Sequence, residues 1–346
     1  MTSLAKIHIR LAAAVCLLAP LFCTAQEGIT HNGPFFVSVE VSGSTGTYPV
    51  GINNSLSITG YYKDASQHAH GFVRNLSGRI SSFDVTGSIL TQPVGINNSG
   101  QIAGVYEDAS GIQRGFLRSS RGVITTFNPG GTSGSTVPTA INASGAIVGM
   151  YSTSSIVPPA FGFLRDPEGG IVTFDIAGSN YVDPQSINAS GEIAGEYLYD
   201  GDTQIGGFVR SSDGEITTFD YEEGIVPSGI NDSGTLAGWY ASTAFHGFTR
   251  SSQGQLTSFD PPGTLMTQNI SINRTGAVTG SYSATSSVAG SRPLNHGFLR
   301  TGNGSILSFD PPGSTGTTPT GINDLGVVTG WYFGSTGQAM GFLGLP

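Results

Sequence analysis

The residues best suited to chemistry in this sequence are carboxylates that stand close together along one stretch of the chain. They are Asp200, Asp202, Glu222 and Glu223, with Asp183 and Glu196 shortly before them. Clustered carboxylates bind Ca²⁺, which takes about six to eight oxygen ligands, and paired carboxylates act as acid and base in glycoside cleavage. An ordinary solvated acidic surface is the third hypothesis. A Ca²⁺ site at Asp200 and Asp202 is therefore an open alternative to a protein without a cofactor.

Three histidines occupy one position, directly before a Gly-Phe pair. They are His70, His246 and His296, and the same position elsewhere holds Arg114, Phe161, Gly206 and Met340. The histidines could line a ligand site, but this variety favours a half-exposed strand position that tolerates many side chains. His68 and His70 could share a metal ion through neutral imidazoles, although the sequence offers no obvious third ligand.

Three large aromatic residues form a further set of candidates. Tyr61, Trp239 and Trp331 fill the middle position of a recurring Gly-x-Tyr motif. Aromatic side chains of this kind stack on flat ligands such as sugar rings. The alternative is that the rings pack between neighbouring sheets.

All these residues belong to a repeated frame. A triplet of Gly, Ala or Ser followed by Ile-Asn starts at residues 51, 95, 140, 186, 229, 271 and 321. Each triplet is followed by Gly-x-Tyr and Gly-Phe, and six of them by Phe-Asp or Phe-Asn. The seventh copy lacks this last piece because the chain ends at Pro346, and residues 36–42 supply its equivalent. The copies are numbered here as repeats 1 to 7.

Each repeat predicts four short strands. Ile-x-Gly-x-Tyr alternates with the period of a strand, and Asn-x-Ser-Gly between the first two strands is typical of a bulged hairpin turn. Four strands per roughly 40 to 50 residues is the size of a β-propeller blade. The sequence therefore predicts an all-β, seven-bladed β-propeller of four-stranded antiparallel blades, in which the N-terminal strand at 36–42 completes the last blade and closes the ring.

Loop lengths predict where function lies. The connections from the first to the second strand and from the third to the fourth keep the same length in every repeat, whereas the other two connections vary. Because strands alternate in direction, both variable connections leave from one end of the sheets. Variable surface loops commonly carry function. We call this end the variable face and expect the ligand site there.

The first 25 residues predict an export signal. Lys6 and Arg10 precede an apolar run that ends at small residues, which suits a signal peptidase. Cleavage after Ala25 leaves residues 26–346 as a single domain without cysteine. No other apolar stretch is long enough to span a membrane. We expect a secreted monomer that is extracellular, periplasmic or at the cell surface.

Composition and charge exclude several classes of protein. The chain has 52 Gly among 346 residues and only 11% charged residues, which disfavours helix bundles and coiled coils. A hydrophobic share of 38% with 19 Phe and 12 Tyr is enough for a core and argues against disorder. The net charge of −9 repels nucleic acid, so we expect no nucleic-acid partner.

The recurring His-Gly-Phe-Leu-Arg, Gly-x-Ile-x-x-Phe-Asp and Gly-Ile-Asn motifs resemble the HAF repeat of bacterial extracellular proteins. The resemblance covers nearly all of residues 36–346, but Gly stands where Ala is expected after His. It implies a secreted β-propeller and adds no catalytic residues. We therefore expect a secreted or surface-associated non-enzymatic binding propeller for a carbohydrate or a protein. The alternative is an extracellular polysaccharide hydrolase or lyase that uses carboxylates on the variable face.

Overall fold

The computed structural model describes residues 34–154, 159–199, 201, 203–284 and 294–346. Within these ranges the chain forms 28 β-strands and no helix, which confirms the all-β prediction. In this part of the chain there is accordingly no apolar helix that could cross a bilayer. The predicted export signal at 1–25 lies outside the described residues.

Each repeat supplies its strands in the predicted order. The first strands are β2 (Gly46–Ile52), β6 (Leu90–Ile96), β10 (Thr136–Ile141), β14 (Ser179–Ile187), β18 (Gly224–Ile230), β22 (Thr264–Ile272) and β26 (Thr317–Ile322). The second strands are β3 (Ile58–Lys63), β7 (Ile102–Glu107), β11 (Ile147–Tyr151), β15 (Ile193–Tyr199), β19 (Leu236–Ala241), β23 (Val278–Ala284) and β27 (Val328–Phe333). The third strands are β4 (Ala69–Arg74), β8 (Gln113–Arg118), β12 (Phe161–Arg165), β16 (Ile205–Arg210), β20 (Phe245–Arg250), β24 (Asn295–Arg300) and β28 (Ala339–Leu345). The fourth strands are β5 (Ile80–Phe83), β9 (Ile124–Phe127), β13 (Ile171–Phe174), β17 (Ile216–Phe219), β21 (Leu256–Phe259) and β25 (Ile306–Phe309).

The strands of a repeat pair antiparallel in chain order, as predicted for four-stranded sheets. Single parallel bridges, from Gly46 to Ala339 and from Phe245 to Met266, also join repeat 1 to repeat 7 and repeat 5 to repeat 6. Repeat 7 has no fourth strand of its own. There, β1 (Phe35–Val39) pairs antiparallel with β28, from Phe35 opposite Leu345 to Val39 opposite Gly341. This strand is shorter than the predicted 36–42 because the chain then turns, with Ser44 donating to the carbonyl of Val41 and Gly43 at φ +80°.

The core lies between the sheets of successive repeats. The Phe of every Gly-Phe pair is fully buried: Phe72, Phe116, Phe163, Phe208, Phe248, Phe298 and Phe342. The Gly of Gly-x-Tyr is required by this packing. A Cβ on Gly60 would lie 2.2 Å from the carbonyl oxygen of Tyr48 and 2.9 Å from the ring of Phe72. Glycine is therefore the residue that lets the first two strands and the core ring approach so closely.

Arginine side chains contact aromatic rings on the outer strands of neighbouring repeats. The Arg at the end of a third strand lies over the Phe that ends the fourth strand of the preceding repeat. Arg118 lies 4.8 Å from the Phe83 ring centroid, and Arg250 lies 4.3 Å from that of Phe219. The same contact recurs at Arg165, Arg210 and Arg300. Such cation–π contacts contribute about 0.5–1 kcal/mol each at exposed sites and more when desolvated.

The Asn side chain of each triplet forms hydrogen bonds within its own turn and to the next repeat. Asn53 accepts at Oδ1 from the backbone N–H groups of Ser55 and Ser57, and its Nδ2 donates to the carbonyl of Asn97 at 3.0 Å. The same inter-repeat bond links Asn97, Asn142, Asn188, Asn231 and Asn273 to the next triplet Asn, and Asn323 donates to Asn53. Both ends of this buried amide are thus satisfied, which explains why the triplet requires Asn.

Candidate functional site

The histidines predicted as ligand candidates are paired with aspartates. His70 Nδ1 lies 2.9 Å from Asp84 Oδ2. In repeats 5 and 6, the corresponding distances from His246 to Asp260 and from His296 to Asp310 are both 2.6 Å. Each Asp comes from the Phe-Asp motif, so the third and fourth strands of one repeat bring the pair together at the variable face.

A tyrosine completes each of these pairs. Tyr62 stacks on His70 with ring centroids 5.2 Å apart, and Tyr240 and Tyr282 contact His246 and His296 in the same way. Sequence reasoning missed this arrangement, although a signal was present. Asp follows each of the three histidines at the same distance along the chain, and where Asn128 replaces Asp, Arg114 replaces His.

Repeat 4 has no histidine at this position. Gly206 stands at the histidine position, and the ring of Tyr197 fills the space that a side chain there would need. The Tyr197 hydroxyl then donates directly to Asp220 at 3.1 Å. An imidazole in repeats 1, 5 and 6 and a tyrosine hydroxyl in repeat 4 thus each contact the Asp of the Phe-Asp motif.

His70 differs from the other two histidines because it has two acidic neighbours. Its Nε2 lies 3.5 Å from Asp64 Oδ2, in addition to the bond to Asp84. Burial lowers the pKa of His70, but the hydrogen bonds and charges of Asp84 and Asp64 outweigh it and raise the pKa overall. His68 is exposed and lies 3.9 Å from Asp64. Within the described ranges, no three His, Cys, Asp or Glu side chains come close enough to hold a metal ion.

The structure brings two of the aromatic candidates together. Tyr61 stacks on Tyr48 at 4.8 Å between ring centroids, and Tyr48 meets the edge of Trp331 at 5.6 Å. Phe333 extends this group from Trp331 at 5.1 Å and is 41% exposed. We call Tyr48, Tyr61, Trp331 and Phe333 the aromatic cluster. It spans the first and last repeats at the variable face, with partly exposed rings.

Trp239 does not belong to this cluster. It lies in repeat 5, where its ring meets Phe245 edge-on at 5.0 Å. Trp239 is also packed against the buried side chains of repeat 6, including Tyr282. Its ring is partly buried against these side chains, which agrees with the packing alternative, and its ligand-stacking role stays a prediction.

The acidic residues predicted to form a site are only partly described by the structure. Asp200 and Asp202 lie outside the described residues. Glu222 and Glu223 are exposed, and Glu222 occupies a left-handed turn at φ +48°. The carbonyl of Glu222 accepts from the side-chain amide of Gln204 at 2.9 Å. The Ca²⁺ site at Asp200 and Asp202 stays a prediction.

Two other carboxylates of repeat 4 do come together. Asp183 on β14 is the direct cross-strand partner of Glu196 on β15. Asp183 is only 7% exposed. Its Oδ2 accepts from Gln185 Nε2 at 2.7 Å and from the Tyr181 hydroxyl at 3.3 Å, whereas its buried Oδ1 has no hydrogen-bond partner among the described residues.

The environment of this pair shifts both carboxyl groups toward the protonated form. Burial raises the pKa of Asp183 to about 6, although the hydrogen bonds from Tyr181 and Gln185 act to lower it. Burial and the charge of Asp183 raise the pKa of Glu196 to about 7. Such a pair can share a proton, exchange it as a general acid and base, or hold a cation. We call Asp183 and Glu196 the acid pair.

A pocket of about 210 Å³ lies at the opposite ends of the first strands, where the Asn turns meet. Its rim includes Asn54, Arg274 and Asp324. Asn54 donates to Asp324 at 2.8 Å, and Arg274 Nε lies 3.6 Å from the same carboxylate oxygen. The charged side chains of Arg274 and Asp324 on this rim thus already pair with each other. The residue after each triplet Asn varies along the sequence, although the length of the turn does not.

No protein-family model and no curated protein sequence matches the chain. Solved structures do resemble it. A streptogramin B lyase matches with a TM-score of 0.58 at 15% identity, covering 90% of this chain and 97% of the lyase. An oligogalacturonate lyase from Vibrio parahaemolyticus matches with a TM-score of 0.56 at 10% identity, covering 90% and 96%.

A puromycin hydrolase matches with a TM-score of 0.59 at 10% identity, and this chain spans 55% of its length. At such identities the likeness concerns the fold alone. It supports a β-propeller built from four-stranded antiparallel sheets.

Proposed function

We propose that this chain is a secreted or surface-associated, non-enzymatic binding protein of the HAF-repeat type, whose ligand is a carbohydrate held at the variable face. The scaffold is a seven-bladed β-propeller closed by the N-terminal strand. Support for closure comes from the pairing of β1 with β28 and from the bond that Asn323 donates to Asn53. Support for export comes from the pattern of residues 1–25.

The aromatic cluster is the observation that carries the binding function. Four rings from the first and last repeats meet at one end of the sheets, and Phe333 keeps 41% of its surface exposed. The Phe of every Gly-Phe pair, by contrast, is fully buried. Partly exposed aromatic groups with fixed geometry offer flat apolar surfaces on which sugar rings stack.

The two tryptophans of the chain allow a direct test. The Trp239→Phe variant retains Trp331 as its single tryptophan, inside the aromatic cluster, and Trp331→Phe retains Trp239 outside it. Titration with a panel of neutral and charged oligosaccharides should change the emission of the Trp331 protein for at least one member. The Tyr61→Ala change in the same background should weaken binding about tenfold or more, since it removes a stacked ring.

Leu307 provides a matched control. It is 46% exposed on the outer strand β25 of repeat 6, whereas the aromatic cluster lies on the first two strands of repeats 1 and 7. Leu307→Ala in the Trp239→Phe background should leave the titration unchanged. If no oligosaccharide alters the Trp331 emission, or if Leu307→Ala weakens binding as much as Tyr61→Ala, the carbohydrate proposal is wrong and a protein ligand becomes the next hypothesis.

A further inference from the structure

We propose that a pocket between repeats 5 and 6 binds a tetrahedral oxyanion, the chemistry that phosphate and sulfate groups share. The pocket has a volume of about 280 Å³. Residues of the Asn turns and of the hairpin between the third and fourth strands line it, which places it at the end of the sheets opposite the variable face. Arg274, Arg300 and Thr249 supply the donors. The site is separate from the aromatic cluster and does not depend on carbohydrate binding there.

Two arginines give this pocket a positive character. Arg274 and Arg300 both line it, together with Ser, Thr, Asn and Gly residues, and in the described part of the chain no acidic side chain does. The protein as a whole carries a net charge of −9, which repels anions in general. An anion is therefore attracted only where local donors outweigh that charge, and two guanidinium groups that line one pocket provide such a place.

The guanidinium group of Arg300 lacks an acceptor. It lies 5.0 Å from the ring centroid of Phe259. The equivalent arginines of repeats 1 to 4 donate from Nη1 to the carbonyl of the residue that follows them. Arg300 forms no such bond, and its buried Nε has no partner among the described residues. Burial lowers the pKa of Arg300, but arginine keeps its charge in proteins. Its N–H groups therefore call for an acceptor that an oxyanion would supply.

Arg274 has donors left over after its contact with Asp324. Its Nε lies 3.6 Å from Asp324 Oδ2, and the side chain is 64% exposed. The two Nη groups donate no hydrogen bond to any described residue, and such a pair of N–H groups matches two oxygens of one phosphate or sulfate. Arg274 is also the only basic residue that follows a triplet Asn. The other residues at this position are Asn54, Asn98, Ala143, Ala189, Asp232 and Asp324.

Thr249 adds a hydroxyl donor where the other repeats are apolar. It directly follows the Gly-Phe pair of repeat 5 and lines the pocket. The equivalent residues are Val73, Leu117, Leu164, Val209, Leu299 and Leu343. The hydroxyls of Ser233 and Thr275 donate to Asn231 and Asn273. The hydroxyl of Thr249, by contrast, forms no hydrogen bond with the described residues and can donate to a ligand.

A glycine leaves the pocket open in repeat 6. In repeat 5, a Cβ on the turn residue Gly234 would lie 3.2 Å from the Cβ of Ser252, so that serine side chain covers the turn. Gly302 occupies the position of Ser252 in repeat 6, and a Cβ on the equivalent turn residue Gly276 would meet no atom within 4 Å. The missing side chain thus leaves space beside the two arginines that repeat 5 fills.

The test is calorimetric titration of the protein at pH 7 with sodium sulfate and with sodium phosphate, at an ionic strength held constant with sodium chloride. We expect saturable binding of the oxyanion. Arg274→Gln should weaken it about 10-fold or more, the range expected for hydrogen bonds between charged groups. Thr249→Val should weaken it about 3-fold to 10-fold, as for one neutral donor. Valine stands at this position in repeats 1 and 4, so the Thr249→Val protein should keep its fold.

Arg121 provides the matched control for charge. It is an exposed arginine in the hairpin between β8 and β9 of repeat 2, at the same end of the sheets. Arg121→Gln also removes one positive charge and should leave the affinity unchanged. An equal loss of affinity in Arg121→Gln and Arg274→Gln would overturn the site, because it would reflect general attraction between charges.

The remaining outcomes decide the source of the ligand and the fate of the proposal. Binding of sulfate alone or of phosphate alone, with the expected loss in both variants, would support the site and identify which group it takes. The absence of saturable binding for both anions would overturn it, and so would binding that Arg274→Gln and Thr249→Val leave unchanged. None of these results bears on carbohydrate binding at the aromatic cluster, which the emission of Trp331 reports separately.

Discussion

Asn323 donates from its side-chain amide to the backbone carbonyl of Asn53 at 3.0 Å, although 270 residues of chain separate them. It is the same bond that joins every other triplet Asn to the one in the next repeat. The last repeat therefore meets the first through the contact that each repeat makes with its neighbour. The pairing of β1 with β28 joins the two ends of the chain a second time.

Removal of the N-terminal strand should destabilise the whole protein. Deleting residues 26–42 removes β1, including the fully buried Val39 and the half-buried Phe36 that packs on Phe342. We expect the free energy of unfolding to fall by about 4 kcal/mol or more, from lost apolar burial and an opened sheet edge. Chemical denaturation measures this change. An unchanged midpoint with equal cooperativity would contradict a ring closed by β1.

The side-chain N–H donor of the triplet Asn should contribute to the stability of the fold as its acceptor oxygen does. Asn142→Asp retains the oxygen that accepts from Ser144 and Ala146 but replaces the Nδ2 donor to the Asn188 carbonyl with a second oxygen. Asn142 is only 6% exposed. We expect the free energy of unfolding to fall by about 2–3 kcal/mol, because a buried carbonyl loses its donor and faces negative charge.

The control for this change is the exposed Asn98. Its Oδ1 accepts from the backbone N–H of Asn54 at 2.9 Å, a bond that aspartate preserves. Asn98→Asp should therefore alter the denaturation midpoint very little. Equal losses for Asn98→Asp and Asn142→Asp would show that added negative charge, rather than the lost donor, explains the result.

Much of the fold was predictable because the repeat supplies the same signal many times. Motifs such as Gly-Phe and Asn-x-Ser-Gly each indicate one local structure, a strand or a hairpin turn. Because the motifs recur in the same order, they predict the strand order within a repeat. The site was less predictable because it depends on register. A bulge between Pro184 and Ser186 shifts the pairing of β14 with β15 and sets Asp183 opposite Glu196, and strand alternation alone does not reveal that shift.

The His–Asp pairs show a second limit of predicting the site from the sequence. The variety of residues at the His70 position favours a half-exposed strand position that tolerates many side chains, yet His70 Nδ1 lies 2.9 Å from Asp84 Oδ2. Each residue type has an ordinary explanation when it is considered alone. Asp follows every histidine at this position, but Asp also stands in repeats 3 and 4, where Phe161 and Gly206 replace the histidine, so the sequence carries only a partial signal for the pair.

Leu56 combines backbone strain with burial, and burial should dominate. It adopts φ +58° in the turn position that glycine occupies in the other repeats, and it is 1% exposed in a core cluster with Ile52 and Ile58. Leu56→Gly should relieve about 1–2 kcal/mol of left-handed strain and lose about 2–5 kcal/mol of core packing. We expect a net loss of about 1–3 kcal/mol in denaturation. A more stable Leu56→Gly protein would mean that the buried contacts are weak.

The pair of His70 and Asp84 should make a pH-dependent contribution to stability. Because Asp84 and Asp64 raise the pKa of His70 in the folded protein, the stabilisation is complete below the pKa of the unfolded chain and is lost as pH rises through the folded value. Asp84→Asn should therefore lower the melting temperature more at pH 5 than at pH 8. The difference corresponds to at most about 1 kcal/mol for a half-exposed pair.

Asp175 is the matched control for Asp84. It occupies the same Phe-Asp position in repeat 3, where Phe161 stands in place of histidine. Its carboxylate accepts from the backbone of Ile176 and the hydroxyl of Ser179 instead. Asp175→Asn should have the same effect at pH 5 and pH 8. A pH-dependent effect of Asp175→Asn would show that a group other than the His70–Asp84 pair causes the pH dependence.

The acid pair should destabilise the ligand-free protein at high pH. The folded-state pKa values of about 6 for Asp183 and about 7 for Glu196 lie above those of the unfolded chain. Stability is therefore highest below the unfolded values and falls as pH rises through the folded ones, because the folded state must then release protons that it binds more tightly. Each shift corresponds to about 3 kcal/mol at most for such buried groups.

Asp183→Asn and Glu196→Gln should accordingly raise the melting temperature at pH 8 and have little effect at pH 4, where both carboxyl groups of the unmodified protein are protonated. Thermal denaturation across this range measures the change, with Glu215→Gln as the exposed reference. The two effects should also be non-additive, since removing either charge relieves the repulsion on the other. Variants that are less stable at pH 8 than the unmodified protein would show that the ionised carboxylates stabilise the fold, contrary to their raised pKa values.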